Sequence, residues 1–458
     1  MPEATRHCVL FDDLLGKPTT AVFDGEAQSS DGGGALLRAV NRKLHLTTRL
    51  GRHLRDERAE DRVLHTSQEL FDQRVVGIAL GYEDQNDAAR IAADPVMKGV
   101  VGRAAVRGRD LASQATLSRF ENAASARELV AMMRELEDVA VERLKARRPH
   151  ARRITLDLDA TCDPTHGQQQ GSFFNAFYGT WCYLPLLGFL SAPGDKEQHL
   201  FAARLRRGTT PATHCLIPMV RRMAAKLRAA FPKAKIRVRL VGGFGSPRLL
   251  DVLDELKLEY VIGLPQNPRL LALCEIELTA AAVVADRDGE TARFYGEAMY
   301  AADSWSRERR VVFKAEVLVA TGKVNKDNPR FVVTNLPARM KAKTVYVVAY
   351  CGRGESENRI KELKYGLHVD RTSCSSFRAN QLRLLMTAAA YILFQELRVQ
   401  LAGTEAAVWQ VTTLRERLFK IGVRVVESVR RVVLHFAAAH PWQELWRRAA
   451  VNLGAQLT

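Results

Sequence analysis

The sequence predicts a mixed α/β protein in which an α/β core, interrupted by a β-rich insertion, follows an all-helical N-terminal region. Three observations predict this. Capping signals and helical spacing dominate residues 1–150, apolar residues switch to a period of two from Ile154 with short strands alternating with helices, and residues 265–345 hold β-like runs with few helical patterns. With 458 residues, 47% of them apolar, the chain can bury a large core and divide into several domains.

In the N-terminal region Thr66 with Glu69 and Ser125 with Glu128 form capping boxes, and Asp94-Pro95 reads as an N-cap followed by a first-turn proline. Leu129, Met132, Leu136 and Val139 recur at helical spacing, and a basic stretch, 145–153, marks a boundary near residue 150. Strands are then expected near 154–160, 181–191, 198–205, 235–241 and 258–264, with helices near 211–230 and 246–256. Three strands ahead of the first helix imply an antiparallel meander joined to parallel strands. That is the order of an RNase H-like sheet, although an ordinary α/β domain has the same ingredients. Residues 151–264 would form the first part of this core and 346–405 the second, separated by a β-rich insertion at 265–345 with runs at 310–317 and 330–334. Helices are expected near 355–366 and 378–400, the second apolar enough through Leu384, Leu385, Ala388, Ile392 and Leu393 to be buried. A C-terminal region, 406–458, reads as either strand or helix over 412–453.

Composition narrows the function. The chain carries 68 Lys and Arg against 51 Asp and Glu, a formal +17, which is the footprint of a protein that meets polyanions, although an arginine-rich genome leaves the same mark. Its seven cysteines (Cys8, Cys162, Cys182, Cys215, Cys274, Cys351 and Cys374) are scattered, never in a Cys-x-x-Cys arrangement, and fit a reducing cytoplasm. Pro2, Glu3 and Arg6 replace the basic-then-apolar start of a secretion signal, and no uninterrupted apolar run is long enough to span a membrane. Gly16-Lys17 lacks the glycine spacing of a Walker loop, so no ATP site is expected.

Two constellations could carry chemistry. In Ile154-Thr155-Leu156-Asp157-Leu158-Asp159 the alternation puts Asp157 and Asp159 on one strand face, and with Asp163 they form an acidic edge suited to a hard divalent cation. The same residues also suit a solvated strand end. Farther on, Tyr350, Arg353, Glu357 and Lys364 stand at offsets that place them on one face of a continuous helix, a carboxylate flanked by two cations. A surface helix with ion pairs four residues apart would read the same way. His166, beside the acidic edge, could touch metal or phosphate or cap local backbone. Trp305 could stack on an unpaired base or pack within the insertion.

Taken together these segments resemble a known family. Asp159-Ala160-Thr161, the run Pro164-Thr165-His166-Gly167-Gln168-Gln169, and the Tyr350, Arg353, Glu357, Lys364 signature are similar to bacterial insertion-sequence DDE transposases, closest to the branch defined by a Tyr-Arg-Glu-Lys signature. Further likeness runs through Gly81-Tyr82-Glu83-Asp84-x-Asn86-Asp87, Leu111-Ala112-Ser113-Gln114, Thr116-Leu117-Ser118-Arg119 and Phe331-Val332-Val333-Thr334-Asn335-Leu336, so it covers nearly the whole chain.

The resemblance implies an RNase H-like core in which three acids hold two Mg²⁺ ions for in-line phosphodiester chemistry. It implies Asp159 as the first acid and Glu357 as the third, both metal ligands; Asp157, on the same strand face, is a further candidate ligand from the alternation alone. Arg353 and Lys364 would contact DNA phosphate, supported by Tyr350. Arg119 would belong to a helix-turn-helix recognition helix, although a plain helical bundle uses the same residues. The implied partners are double-stranded terminal inverted repeats and target DNA, bound by a homodimer in a bacterial cytoplasm, on the nucleoid. One position departs from the family. The second acid should end the 235–241 strand, just before Gly242-Gly243-Phe244, and there the chain has Val241, which offers no oxygen to a metal. Asp251, ten residues on and on the following helix, is a poor substitute. A catalytically silent relative that still binds terminal repeats is therefore the alternative to an active enzyme.

Overall fold

The computed structural model describes residues 9–12, 15–22, 24–320 and 324–456. Cys8 and the expectations resting on Pro2, Glu3 and Arg6 lie outside them. The chain divides into two compact units, one made of residues up to Phe120 together with those from Ala389 onward, the other Glu121–Ala388.

In the second unit, nine strands among the described residues form one mixed sheet. The strand Arg153–Ala160 is flanked on one side by the antiparallel strands Leu186–Ser191 and then His199–Arg204, and on the other by the parallel strands Lys235–Leu240 and then Glu259–Leu264. Alternation explains which face goes where. Leu156, Leu158, Ile236, Val238 and Leu240 point to one face, where the helices Ala126–Arg147, Leu216–Ala230 and Pro247–Glu255 bury them in a continuous apolar cluster. Two of these helices start at a side-chain cap. Ser125 caps the first through a complete capping box with Glu128, and Ser246 caps the third with Pro247 in its first turn.

The strands of the expected β-rich insertion continue the same sheet. Strand Arg330–Thr334 pairs antiparallel with Glu259–Leu264, and Arg309–Leu318 and Ala292–Tyr300 continue outward from it. Two helices not expected from the sequence, Pro268–Leu273 and Glu275–Asp288, precede these strands. A second expectation also changes, because the single strand foreseen at 181–191 is two. Thr180–Tyr183 belongs to a small three-stranded sheet with Asp163–Pro164 and Phe173–Asn175, and Leu186–Ser191 belongs to the large one. Pro185, which has no backbone N–H to offer a ladder, sits at the break.

In the first unit the capping box at Thr66 opens the helix Ser67–Leu80, and Asp94 caps Pro95–Val101 by accepting from the Met97 N–H at 2.8 Å. The ambiguous tail resolves into a hairpin, Val423–Glu427 with Val432–Phe436, and a final helix, Gln443–Asn452. Arg119 is exposed on the helix Gln114–Ala123, whose Leu117 is buried with Leu70, Ala88 and Ala112. The preceding helix ends at Val101, and residues 102–113 are far longer than the tight turn of a helix-turn-helix. The geometry favours the plain helical reading of this segment. Among the described residues no helix is long and apolar enough to cross a membrane.

Candidate active site

The second face of the large sheet holds the polar residues of the two central strands. Arg239 and Asp157 are register partners on adjacent parallel strands, so their side chains emerge side by side. The guanidinium grips both carboxylate oxygens, at 2.7 and 2.6 Å, and its third nitrogen donates to the Ala349 carbonyl at 3.2 Å. Burial pushes the Asp157 carboxyl up, and Arg239 opposes that shift. Arg239 thus engages both oxygens of Asp157. Sequence alternation alone made it look equivalent to Asp159.

Asp159 sits two residues on, near the end of its strand. Its Oδ2 accepts from Arg353 Nη2 at 3.2 Å, and the same nitrogen pairs with Glu357 Oε1. Two carboxylates separated by nearly two hundred residues therefore converge on one atom, close enough for a single cation to contact both. Burial pushes the Asp159 carboxyl up, the Arg353 guanidinium counters it, and the negative charge of Glu357 adds to the upward push.

Arg353 is positioned by its surroundings. The Tyr350 ring lies 5.8 Å from its guanidinium carbon, and Tyr350 in turn packs on Tyr346. A Cβ at Gly263 would come within 2.7 Å of the Tyr350 hydroxyl, so the glycine in that strand makes room for the ring. The four signature residues do not share one α-helix, however. Tyr350 closes a π-helical turn, Val345–Tyr350, a tighter turn spans Cys351–Arg353, and only then does the helix Gly354–Leu367 begin. Gly352 supplies the space this bend needs, because a side chain there would run into Arg239. Lys364, on the helix proper, donates to the Cys162 carbonyl at 2.6 Å and lies 3.7 Å from Asp370.

The strand carrying Arg239 ends at Leu240, paired with Leu158, so Val241 and Asp159 stand one step beyond the last register pair. Val241 keeps extended backbone angles (φ −78°, ψ 167°), caps the short turn Gly242–Phe244, and packs half-buried against the apolar cluster. An isopropyl group at that place seeks apolar contact, where a carboxylate would seek a cation. Among the described residues no group of three or more His, Cys, Asp or Glu side chains is arranged to hold a metal. Asp251 does not fill the gap. It accepts from Ser306 at 2.5 Å and Arg309 at 2.6 Å.

The other candidates separate. His166 is exposed and makes no hydrogen bond among the described residues. Trp305, half-buried, packs edge-on against Tyr300 at 5.4 Å with Arg309 over its ring. Asp163 is wholly buried in the small sheet, where its Oδ2 accepts from the Thr372 hydroxyl at 2.8 Å and its Oδ1 has no partner. Burial lifts this carboxyl to about 8, against the Thr372 hydrogen bond. The folded protein thus keeps a proton that the unfolded chain gives up near pH 4. The stability this carries is whole below pH 4 and fades as pH rises toward 8. His199, held down at about 4 by burial, is neutral above pH 6.5 and silent there. Asp163→Asn should therefore flatten a decline of up to about 1.4 kcal/mol per pH unit between pH 6.5 and 8. Urea unfolding at three pH values checks this, and an unchanged slope in the variant refutes the assignment.

Sequence reasoning missed Arg239 as the residue that distinguishes Asp157 from Asp159. The signal was present, since two arginines on the polar face of a central strand must be neutralised by neighbouring strands. No curated protein matches the chain. The family model described as transposase DDE domain group 1 does match, over residues 11–457, and the chain belongs to that family of DDE-domain transposases.

Proposed function

We propose that the protein is the transposase of a bacterial insertion sequence, of the Tyr-Arg-Glu-Lys branch, which binds the terminal inverted repeats of its element as a homodimer and acts on the nucleoid. The observation that carries this reading is the convergence of Asp159 and Glu357 on Arg353 at the end of the central strand. The sheet order supports an RNase H-like core, since an antiparallel meander is continued by two parallel strands.

Two carboxylates fit one Mg²⁺, which is commonly held by one or two carboxylates while keeping several waters. A second ion would want a third acid, and position 241 has none to give. When bound, Mg²⁺ would polarise the phosphodiester and lower the pKa of a coordinated water. The chain's own residues do the rest. Asp159 and Glu357 hold negative charge at the cut site. Arg353, once those carboxylates are neutralised by another cation, is free to pair with a phosphate, and Tyr350 holds its guanidinium in place. Lys364 brings a second cation along the same helix. Val241 favours a second reading, in which this chain binds its DNA but cuts it weakly.

Binding itself should be electrostatic. The affinity of the purified protein for duplex terminal-repeat DNA should fall by orders of magnitude between about 50 and 200 mM salt, because each neutralised phosphate releases counterions. Part of the 145–153 stretch is already engaged, Arg147 with Asp195 and Arg153 with Glu259, so the remaining exposed cations must supply the slope. An affinity that stays flat over that range would sink the DNA-binding reading.

A further inference from the structure

The large sheet ends differently on its two sides. At one end the strand His199–Arg204 is almost wholly buried, and Gln381 takes up backbone groups there, accepting from the Leu205 N–H at 2.7 Å and donating to the Ala203 carbonyl at 3.1 Å. At the other end the nine-residue strand Ala292–Tyr300 pairs with Arg309–Leu318 on its inner side, and among the described residues no strand lies beyond it. Its two faces are occupied. Ala292 packs with Ala281 and Ala285 of the helix Glu275–Asp288, while Tyr295, on the opposite face, meets Tyr346 at 5.8 Å. What stays open is the outer row of backbone N–H and C=O groups, unbroken because the inner register runs from 292 to 300 without a bulge.

Proteins blunt such edges with proline, lysine, a bulge or a very short strand, and this strand has none of them. The two charges it does carry, Arg293 and Glu297, are exposed and opposite in sign. Each is already balanced within its own sheet, Arg293 by Glu316 at 2.5 Å and Glu297 by Arg310, so the edge presents no net charge to repel an incoming strand.

The order of residues along this strand is also complementary to itself. Two copies of one strand that meet antiparallel about a two-fold axis place one residue opposite its own copy, and that residue fixes every other pair. With the axis at Tyr295, Arg293 faces Glu297 of the second copy, Glu297 faces its Arg293, and Phe294 faces its Gly296. An axis at Gly296 would set Arg293 against Met299, and one at Glu297 would set two like charges together. The Tyr295 register also seats a ring over a glycine. Gly296 has no room for a side chain, since a Cβ there would run into the Phe313 ring, whereas Phe294 is 37% exposed and available to cover the bare backbone.

We propose that two copies of the chain join edge to edge along Ala292–Tyr300, antiparallel about an axis through Tyr295, so that their large sheets become one continuous sheet. The charge pattern favours a second copy over a foreign strand, because the strand supplies both halves of each pair itself. This rests on the homodimer reading and names the surface on which the copies meet.

The test is sedimentation equilibrium of the full-length protein over a range of concentrations, for the wild type, Arg293→Glu, Glu297→Arg and an equimolar mixture of the two variants. In either variant alone, like charges face each other twice across the axis, and dimerisation should weaken by roughly one to two orders of magnitude. In the mixture the new glutamate at position 293 of one chain faces the new arginine at position 297 of the other, and the native pair faces across the other half of the axis. Heterodimers should therefore form with close to wild-type affinity. Loss of fold cannot imitate this result, because two unfolded chains gain nothing on mixing. If both variants dimerise as the wild type does, or if the mixture stays monomeric, the edge proposal is overturned and the homodimer reading must find another surface. A wild type that is monomeric at every concentration, alone and with terminal-repeat DNA, sinks the homodimer reading along with the edge and leaves the DNA-binding reading standing.

Discussion

Replacing Val241 with aspartate should raise Mg²⁺-dependent nicking of terminal-repeat DNA by roughly two to four orders of magnitude. The reason is positional. Val241 stands one register step beyond the Leu240–Leu158 pair, level with Asp159, so a carboxylate there would be the third acid of the site. Losing one metal ligand of three forfeits about 3 to 6 kcal/mol of transition-state stabilisation, which sets the size of the rate change. The variant should fold. Val241 is only half-buried, and its extended backbone at the head of the Gly242–Phe244 turn is a place where aspartate is favoured as a cap. A nicking assay on supercoiled DNA carrying the terminal repeat, with and without Mg²⁺, measures the effect. If the unmodified protein already cuts vigorously and Val241→Asp adds nothing, another residue supplies the second acid. Asp251 is then a weak suspect, since Ser306 and Arg309 already hold it.

Arg239→Met should destabilise the fold by about 3 to 5 kcal/mol, because it strands the Asp157 carboxylate in the interior without its cation. Both side chains are almost fully buried and joined by two hydrogen bonds, so the loss is one of uncompensated charge rather than of packing. The double variant Asp157→Leu/Arg239→Met should recover most of it, since two apolar side chains of similar size need no partner. Urea denaturation of the two single variants and the double variant closes the cycle. If Arg239→Met proves harmless, Asp157 is neutral or hydrated in the fold and the account of it as a structural ion-pair partner is wrong.

The contrast between Asp157 and Asp159 shows where sequence reading stops. The period of two made the shared face of both acids legible, and it made Ile236, Val238 and Leu240 legible as core, because a strand with one apolar face imprints its geometry on the sequence. It could not say which acid would be neutralised. That depends on Arg239 being in register with residue 157, and register between parallel strands eighty residues apart leaves no local mark. The helix Glu275–Asp288 was illegible for a different reason: among its residues only Ala281 and Ala285 are buried, so its inward stripe is too small to stand out. The strands after it were legible as strands but not as members of the central sheet, since their pairing with Glu259–Leu264 is again a matter of long-range register. The Tyr350 to Lys364 spacing suggested one continuous helix, whereas the backbone bends at Cys351–Arg353 before the helix Gly354–Leu367 begins.

The antiparallel strands beyond Glu259–Leu264 also govern how the chain can be made. Until Arg330–Thr334 emerges from the ribosome, the apolar Tyr260-Val261-Ile262 edge has no neighbour on that side. At ordinary synthesis rates those intervening residues take roughly 4 to 14 s to appear. During that interval the nascent chain carries an open β edge of the kind that recruits other strands, and its later half acts as a built-in cover that arrives only when translation is three-quarters done.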